Sequence, residues 1–322
     1  DKKLYEVNPD DKVAIARAAA EEVLGKDERI ISVDSSYSDG EGSSYRLISN
    51  GFEGESKSTW FSVSASVSIK GEGEARPQDY WYDSALFYDK LTKTGIGAKA
   101  LERVLRKLGQ KKAKSGKYTM VVDPMNVGNL LSPMLSALYG SALQQKNSFL
   151  MDKLDAKVAS DLFTLRDEPH VIGANGSRYF DNEGVATEPR TVFDKGVLKT
   201  YFIDTYNGKK MNMAPTISTP SRLILAPGDK DLNGLVADVK QGILVTGFNG
   251  GNSNSSTGDF SYGIEGFLIE DGKLTQPVNE MNVTGNMVAL WNSLVAVGND
   301  PQPNRSWQIP SLVFEGVDFS GL

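Results

Sequence analysis

The sequence predicts an α+β fold, with helices and a strand hairpin in the first half and a β-rich antiparallel second half. Three observations carry this. Apolar residues in KVAIARAAAEEVLGK (12–26) recur at helical spacing, and those in FSVSASVSIK (61–70) fall at every second position. Beyond residue 190, turn signals such as Asp194-Lys195-Gly196 and Asp271-Gly272 sit between apolar flanks. Helices followed by runs of strands, without strand–helix–strand alternation, separate α+β from a parallel α/β sheet.

In chain order, the turn NPDD supplies a start and Gly25 a stop for the first helix. YRLISNGFEGES (45–56) pairs with the alternating strand across Asn50-Gly51, a strong hairpin signal. In that strand Phe61, Val63, Ala65, Val67 and Ile69 share one face and serines the other, so one face is buried. A second helix is expected over SALFYDKLTKTGIGAKALERVLRKLG (84–109), then a short buried strand, YTMVVDP (118–124). In LLSPMLSAL (130–138), Ser132 fits an N-cap and Pro133 the first helical position, which predicts a buried helix starting at Ser132. RTVFDKGVLKTYFID (190–204) and GFLIEDGKLTQPV (266–278) read as hairpins. TGFNGGNSNSSTGDFSYG (246–263) reads as a long Gly/Asn/Ser loop, of a length that is functional or disordered in compact domains. NVTGNMVALWNSLVAVGND (282–300) gives a helix after Thr284-Gly285-Asn286 and a loop at Gly298-Asn299-Asp300.

Composition narrows the chemistry. With 322 residues, 39% of them hydrophobic, the chain has room for one large domain or two ordinary ones, and no apolar run reaches membrane-spanning length. Lys plus Arg number 35 against 41 Asp plus Glu, a net charge of −6, which suits phosphate backbones poorly. The one basic concentration, RKLGQKKAKSGK (106–117), reads as a solvated helix end and loop. The absence of cysteine removes thiol nucleophiles, disulfides and thiolate zinc sites. A single histidine, His170, rules out a multi-histidine metal site within the chain and reads as structural, since no G-x-S-x-G elbow accompanies it. Asp259, Glu265 and Glu270 could form a hydrolytic carboxylate pair, a matter for their spacing in the fold. Gly95-Ile96-Gly97 resembles part of a phosphate loop but lacks the third glycine and a preceding strand. Asn175, Asn254 and Asn282 head formal glycosylation triplets, which matter only in a eukaryotic secretory pathway.

From residue 119 onward a family resemblance emerges. The blocks SFLMDKL (148–154), EPH (168–170), FDNEGVATEPRTVFDKGVL (180–198), TGDFSYG (257–263), VTGN (283–286) and VGND (297–300), in this order, resemble the TldD/PmbA family, also called modulators of DNA gyrase. The opening helix and the FSVSASVSIK strand fall in the family's order too, so the resemblance covers the whole chain. It implies a central segment over 1–118 and a metallopeptidase-like C-terminal domain over 119–322, with the family's N-terminal α/β domain, which would precede Asp1, missing from this sequence. TldD-like chains carry His-Glu-x-x-x-His on the helix after the VVDP-type strand, and a cysteine near the C-terminus completes their zinc site. The matching positions here are Ser132, Pro133 and Ala137, and there is no cysteine.

The resemblance therefore implies a PmbA/TldE-type subunit, inactive alone, in a cytoplasmic bacterial zinc metallopeptidase complex that processes peptides. The zinc is then expected in a TldD-like partner, with this chain in a heterodimer or a homodimer. The alternative is a homo-oligomeric peptide-binding or scaffold protein without peptidase activity. A third reading is an independent enzyme using carboxylates such as Asp259 and Glu265. No nucleic-acid or membrane partner is expected. Asn249, Gly258, Asp259, Asn299 and Asp300 are the residues expected to face a peptide cleft, and sheet edges in the second half are candidates for strand addition.

Overall fold

Asn8 starts the first helix: its side chain accepts the Asp11 N–H at 2.9 Å, and Pro9 takes the first helical position, where no N–H is needed. The computed structural model describes residues 1–322, which divide into two units, Asp1–Gln110 and Lys111–Leu322.

The first unit is a three-stranded antiparallel sheet with two helices on one face. In chain order it holds α1 (Pro9–Glu21), β1 (Ile30–Leu47), β2 (Glu53–Ile69), β3 (Gln78–Ala85) and α2 (Ile96–Leu105), with β2 central. The period-two reading of β2 holds. Phe61, Val63, Ala65, Val67 and Ile69 are 0–1% exposed, packed against Ala19, Val23, Ile96, Ala100 and Val104 of the helical layer. The expected hairpin is present, with Leu47 opposite Glu53 and Gly51 at φ +93° in the connecting turn. Where β1 and β2 run on beyond β3, the indole of Trp60 covers Gly40 on the opposite strand.

One element differs from expectation. Helix does not begin at Ser84. Ser84 and Ala85 close β3, paired with Ser62 and Phe61 of β2, and α2 begins only at Ile96. Tyr80, Trp81 and Tyr82 suit a strand, and cross-strand pairing outweighs the helical spacing of the residues that follow. Gly95, at φ +78°, marks the helix start, and Glu22 at the end of α1 caps it by accepting the N–H groups of Gly95, Gly97 and Ala98 at 2.6–3.2 Å. The Gly-Ile-Gly stretch thus spends its backbone donors on a carboxylate of its own chain.

The second unit contains β4 (Gly116–Val122), α3 (Val127–Ser136), α4 (Gly140–Gln144), β5 (Leu165–Asp167), β6 (Arg190–Asp194), β7 (Val197–Leu198), α5 (Thr205–Met211), β8 (Leu223–Leu225) and α6 (Leu232–Ala237). Then follow β9 (Gln241–Ser253), β10 (Asp259–Glu270), β11 (Lys273–Asn286), α7 (Met287–Asn292), β12 (Leu294–Val297), β13 (Trp307–Gln308) and β14 (Leu312–Ser320). Its main sheet runs β11-β10-β9-β4-β14-β12, and a further pairing of β11 with β14 closes the first five strands into a ring. All pairs in it are antiparallel except β4 with β9. A smaller sheet runs β13-β8-β5-β6-β7. The edge strands of the smaller sheet are two residues long, which leaves little edge there for strand addition. Residues alternate between two cores: Met120 and Val122 join the large core with α3, and Val121 joins a smaller one under α6.

The hairpins at Asp194-Lys195-Gly196 and Asp271-Gly272 form as expected, with positive φ at Lys195, Gly196, Asp271 and Gly272 as a type I′ turn requires. Asn286 caps α7 through the Val288 N–H at 3.1 Å. Two expectations fail. Residues 246–263 are not a long loop but most of the β9–β10 hairpin, whose turn is only 254–258. Gly250 and Gly251 (φ +84° and +100°) serve a bulge, and a Cβ on Gly251 would lie 2.1 Å from the Ser261 carbonyl. Nor does α3 begin at Ser132: it starts at Val127, set by Asp123, whose Oδ1 accepts the Asn126 N–H and Nδ2 at 3.1 and 2.6 Å. Pro133 lies inside the helix and deprives only the carbonyl of exposed Asn129 of a helical donor, which water can replace.

The α1–α2 contact gives a test. A Cβ on Gly97 would lie 1.9 Å from the Ala19 carbonyl, whereas one on Gly95 meets nothing within 4 Å. Gly95→Ala should cost about 1 kcal/mol through its left-handed φ, and Gly97→Ala about 3 kcal/mol through overpacking. Urea midpoints of the two variants check this; equal losses would mean that the helices are not in contact at Gly97.

Candidate functional site

Helix α3 follows β4 directly, held by Asp123 at its entry and by the Asn126 Nδ2 donating to the Thr246 carbonyl of β9 at 2.8 Å. Leu130, Leu131, Met134, Leu135 and Leu138 are 0–1% exposed, so one side of the helix is committed to the core. Asn129, Ser132 and Ser136 point to solvent, Pro133 is half-buried and Ala137 is 2% exposed. The positions where the resemblance places zinc ligands therefore straddle the boundary between core and solvent.

Those residues do not fit a hydrolytic zinc. Such an ion takes about three nitrogen, oxygen or sulfur ligands and keeps a position open for water. A serine hydroxyl, a proline and an alanine do not provide that set. No group of three or more His, Cys, Asp or Glu side chains lies close enough to hold a metal. His170 sits on an exposed loop, its Nε2 3.1 Å from Thr187 Oγ1 and its ring against Tyr179.

The residues expected to face a cleft fall into three separate neighbourhoods. Asn249 donates to Asn279 Oδ1 at 3.3 Å, beside the β9 bulge. Gly258, at φ +80° against the Phe149 ring, and Asp259 lie at the β9–β10 turn. Hydrogen bonds from Asn286 Nδ2 (2.9 Å) and Thr257 Oγ1 (2.7 Å) hold the Asp259 carboxyl below the usual carboxylate range. Asn299 donates to the Asp229 carbonyl at 3.0 Å, and Asp300 accepts from the Leu232 N–H, the Ser311 N–H and the Ser311 hydroxyl at 2.8–3.0 Å. No hydrogen bond joins these three groups. Asp259 and Glu265 lie six residues apart on β10, about 20 Å along a strand, too far for paired carboxylate hydrolysis.

Sequence reading missed the polar knot that holds the EPH and FDNEGVAT blocks. Asp167, 1% exposed, accepts the N–H groups of Ser221 and Arg222 at 2.8–3.1 Å. Burial nevertheless pushes its carboxyl above the ordinary value. Asp181, 2% exposed, accepts from the N–H groups of Glu183, Val185 and Ser218 at 2.8–3.0 Å. Burial raises its pKa, and these donors together outweigh that and leave it lowered. Arg178 reaches from the same segment to Ser221 Oγ and the carbonyls of Thr219 and Pro220. The Asp181-Asn-Glu-Gly184 turn was the available local signal, but the partners at 218–222 lie some forty positions on. The basic run 106–117 has acidic partners for several of its charges: Arg106 with Glu102, Lys107 with Asp79, Lys112 with Glu280 and Lys117 with Asp318. No helix is long and apolar enough to cross a membrane.

Known proteins share both units of this chain. Residues 2–108 match the PmbA/TldA metallopeptidase central domain, and residues 115–321 match the PmbA/TldA metallopeptidase C-terminal domain. The metalloprotease PmbA homolog of Haemophilus influenzae is 29% identical over 329 residues, spanning 100% of this chain and 73% of that protein. Metalloprotease PmbA of Escherichia coli O157:H7 is 27% identical, spanning 98% of this chain and 71% of its own length. A Bacteroides thetaiotaomicron crystal structure, of a protein suggested to be a modulator of DNA gyrase, superposes at a TM-score of 0.99 with 73% identity. It covers 100% of this chain and 74% of that one. TldE of Thermococcus kodakarensis, 22% identical, shares the fold at a TM-score of 0.85, across 100% of this chain and 76% of its own.

Fold and sequence thus define a protein of a metallopeptidase class, built from the central and C-terminal domains of that class. The chain belongs to the PmbA/TldD family.

Asp181 supplies a pH test. Because its folded-state pKa is lowered, its stabilisation is present above the unfolded value and lost as pH falls through the folded one. Asp181→Asn should cost about 2 kcal/mol at pH 7, where an amide turns a donor toward the backbone N–H groups. The gap between wild-type and variant urea midpoints should narrow once pH drops below about 3.9. A gap independent of pH would assign the role of Asp181 to shape rather than charge.

Proposed function

We propose that this chain is the metal-free subunit of a two-subunit zinc peptidase that degrades or processes peptides. A TldD-like partner supplies the zinc and the hydrolytic water, and this chain completes the cleft around the peptide. The observation that carries this reading is helix α3. It follows the VVDP strand as the family's zinc helix does, yet it carries Ser132, Pro133 and Ala137 at the ligand positions, in a chain without cysteine. A peptidase of this kind needs zinc to polarise the scissile carbonyl and lower the pKa of bound water. The helix here offers no ligand set for it. The names of its relatives, metalloprotease PmbA among them, support peptide processing as the setting.

The test is hydrolysis of an unstructured peptide by this chain alone and by this chain mixed with a TldD-like subunit from the same genome. Cleavage is expected in the mixture, abolished by a chelator, and not with this chain alone. Cleavage by the isolated chain would overturn the proposal.

A further inference from the structure

The closed sheet of the second unit opens at one place. β11 and β14 pair only at Asn282↔Ser320, Val283↔Phe319 and Thr284↔Asp318. Just beyond, a bulge at Glu315 and Gly316 (φ +66°) interrupts β14, which pairs with β4 on both sides of the bulge and with β12 beyond it. Helix α7 leaves the end of β11, and a cavity of about 180 Å³ lies between these three elements.

Its lining mixes apolar Phe260, Leu290 and Val317, each 5–6% exposed, with the polar side chains of Thr284, Asn286 and Ser293. Its mouth is charged. Glu315 and Asp318 stand there, both exposed, with Lys117, which is paired to Asp318 at 3.4 Å. Two carboxylates against one ammonium leave the rim negative, and the uncompensated charge is that of Glu315.

A cavity of about 180 Å³, open to solvent at its mouth, has room for one aliphatic or aromatic side chain. The negative rim adds a requirement for a cation at the mouth, above the apolar group. A lysine or arginine side chain entering end-on would set its charge inside the cavity, away from the rim carboxylates. An N-terminal residue has the opposite geometry, with its ammonium beside the backbone and its side chain pointing away.

We propose that this fork binds the first residue of a peptide, its α-ammonium at Glu315 and its Leu- or Phe-sized side chain on Phe260, Leu290 and Val317. The choice of a peptide as ligand rests on the function proposed above. The binding itself requires neither partner nor zinc.

The experiment is an NMR titration of the isolated chain with leucinamide, with N-acetyl-leucinamide, which lacks the cation, and with glycinamide, which lacks the side chain. Saturable shifts at Gly285, Ala289 and Gly316 are expected with leucinamide, and both controls should bind more weakly. Glu315→Gln should weaken leucinamide about threefold, as loss of an exposed ion pair implies, and leave N-acetyl-leucinamide unchanged. Ala289→Phe, at an exposed position of α7, should fill the mouth and abolish binding while the rest of the spectrum stays native. Equal binding of leucinamide and its acetylated form, unaltered binding in Ala289→Phe, or no saturable shift with leucinamide would each overturn the proposal. The assay contains no partner and no hydrolysis, so its failure is distinct from failure of the peptidase reading.

Discussion

The contact on which the second unit depends is the packing of Trp291 between its two sheets. The fully buried indole stacks at a tilt on Phe163 (4.3 Å between centroids) and meets Phe314 of β14 edge-on at 5.6 Å. Its N–H points to the Leu130 carbonyl of α3 at 3.4 Å. Phe163 in turn packs on Phe193 of β6 at 4.7 Å. One side chain therefore joins the closed sheet, the smaller sheet, α3 and α7. Aromatic groups of this size carry a large share of core energetics, and their offset geometry fixes orientation as well as proximity. With Leu130 anchored and Leu131, Met134, Leu135 and Leu138 buried, α3 has no freedom to rotate about its axis.

That constraint separates what fold and chemistry ask of α3. The fold uses one side of the helix, and Asn129, Ser132 and Ser136 lie on the other. Nothing in the core specifies what stands at 132, so an imidazole or a hydroxyl there leaves the packing of the apolar side unchanged. Pro133 is tolerated for a related reason, because the carbonyl it strands belongs to an exposed residue. A helix whose fold is secured from one side leaves residues on the other, such as Ser132, free to vary while the architecture stays the same. The 0.85 TM-score with a chain only 22% identical shows how far the architecture outlasts the sequence.

Much of the fold was legible because its signals are local. The alternation in β2, the Asp-Gly and Asp-Lys-Gly turns and the Asn286 cap each act within a few residues. The misreadings share a cause in distant partners. Ser132-Pro133 imitates a helix start, but the start is set by Asp123 reaching Asn126, and the strand before it is fixed by β9 and β14. Residues 84 and 85 follow their neighbours in β2. The glycines of 246–263 are needed where β9 and β10 approach closely, which composition alone cannot tell from looseness. In the candidate sites the same limit applies. Acidic residues near glycines invited a functional reading, yet Asp259 is held by its turn and Asp300 by the corner at Ser311. The structural roles of Asp167 and Asp181 were not legible because N–H groups they serve, at Ser221 and Ser218, lie dozens of residues away.

Helix geometry also says why one or two substitutions would not create a zinc site on α3. Residues 133 and 137 are four apart and share a face, whereas 132 is displaced by about 100° from 133. The three positions therefore do not project from a single face of the helix. Ala137 is 2% exposed, and its carbonyl accepts the buried Ser148 hydroxyl at 2.6 Å, so an imidazole at 137 would have to displace packed neighbours. A cysteine would still have to come from elsewhere in a chain that has none. The absence of the metal site is thus built into packing as well as into residue identity.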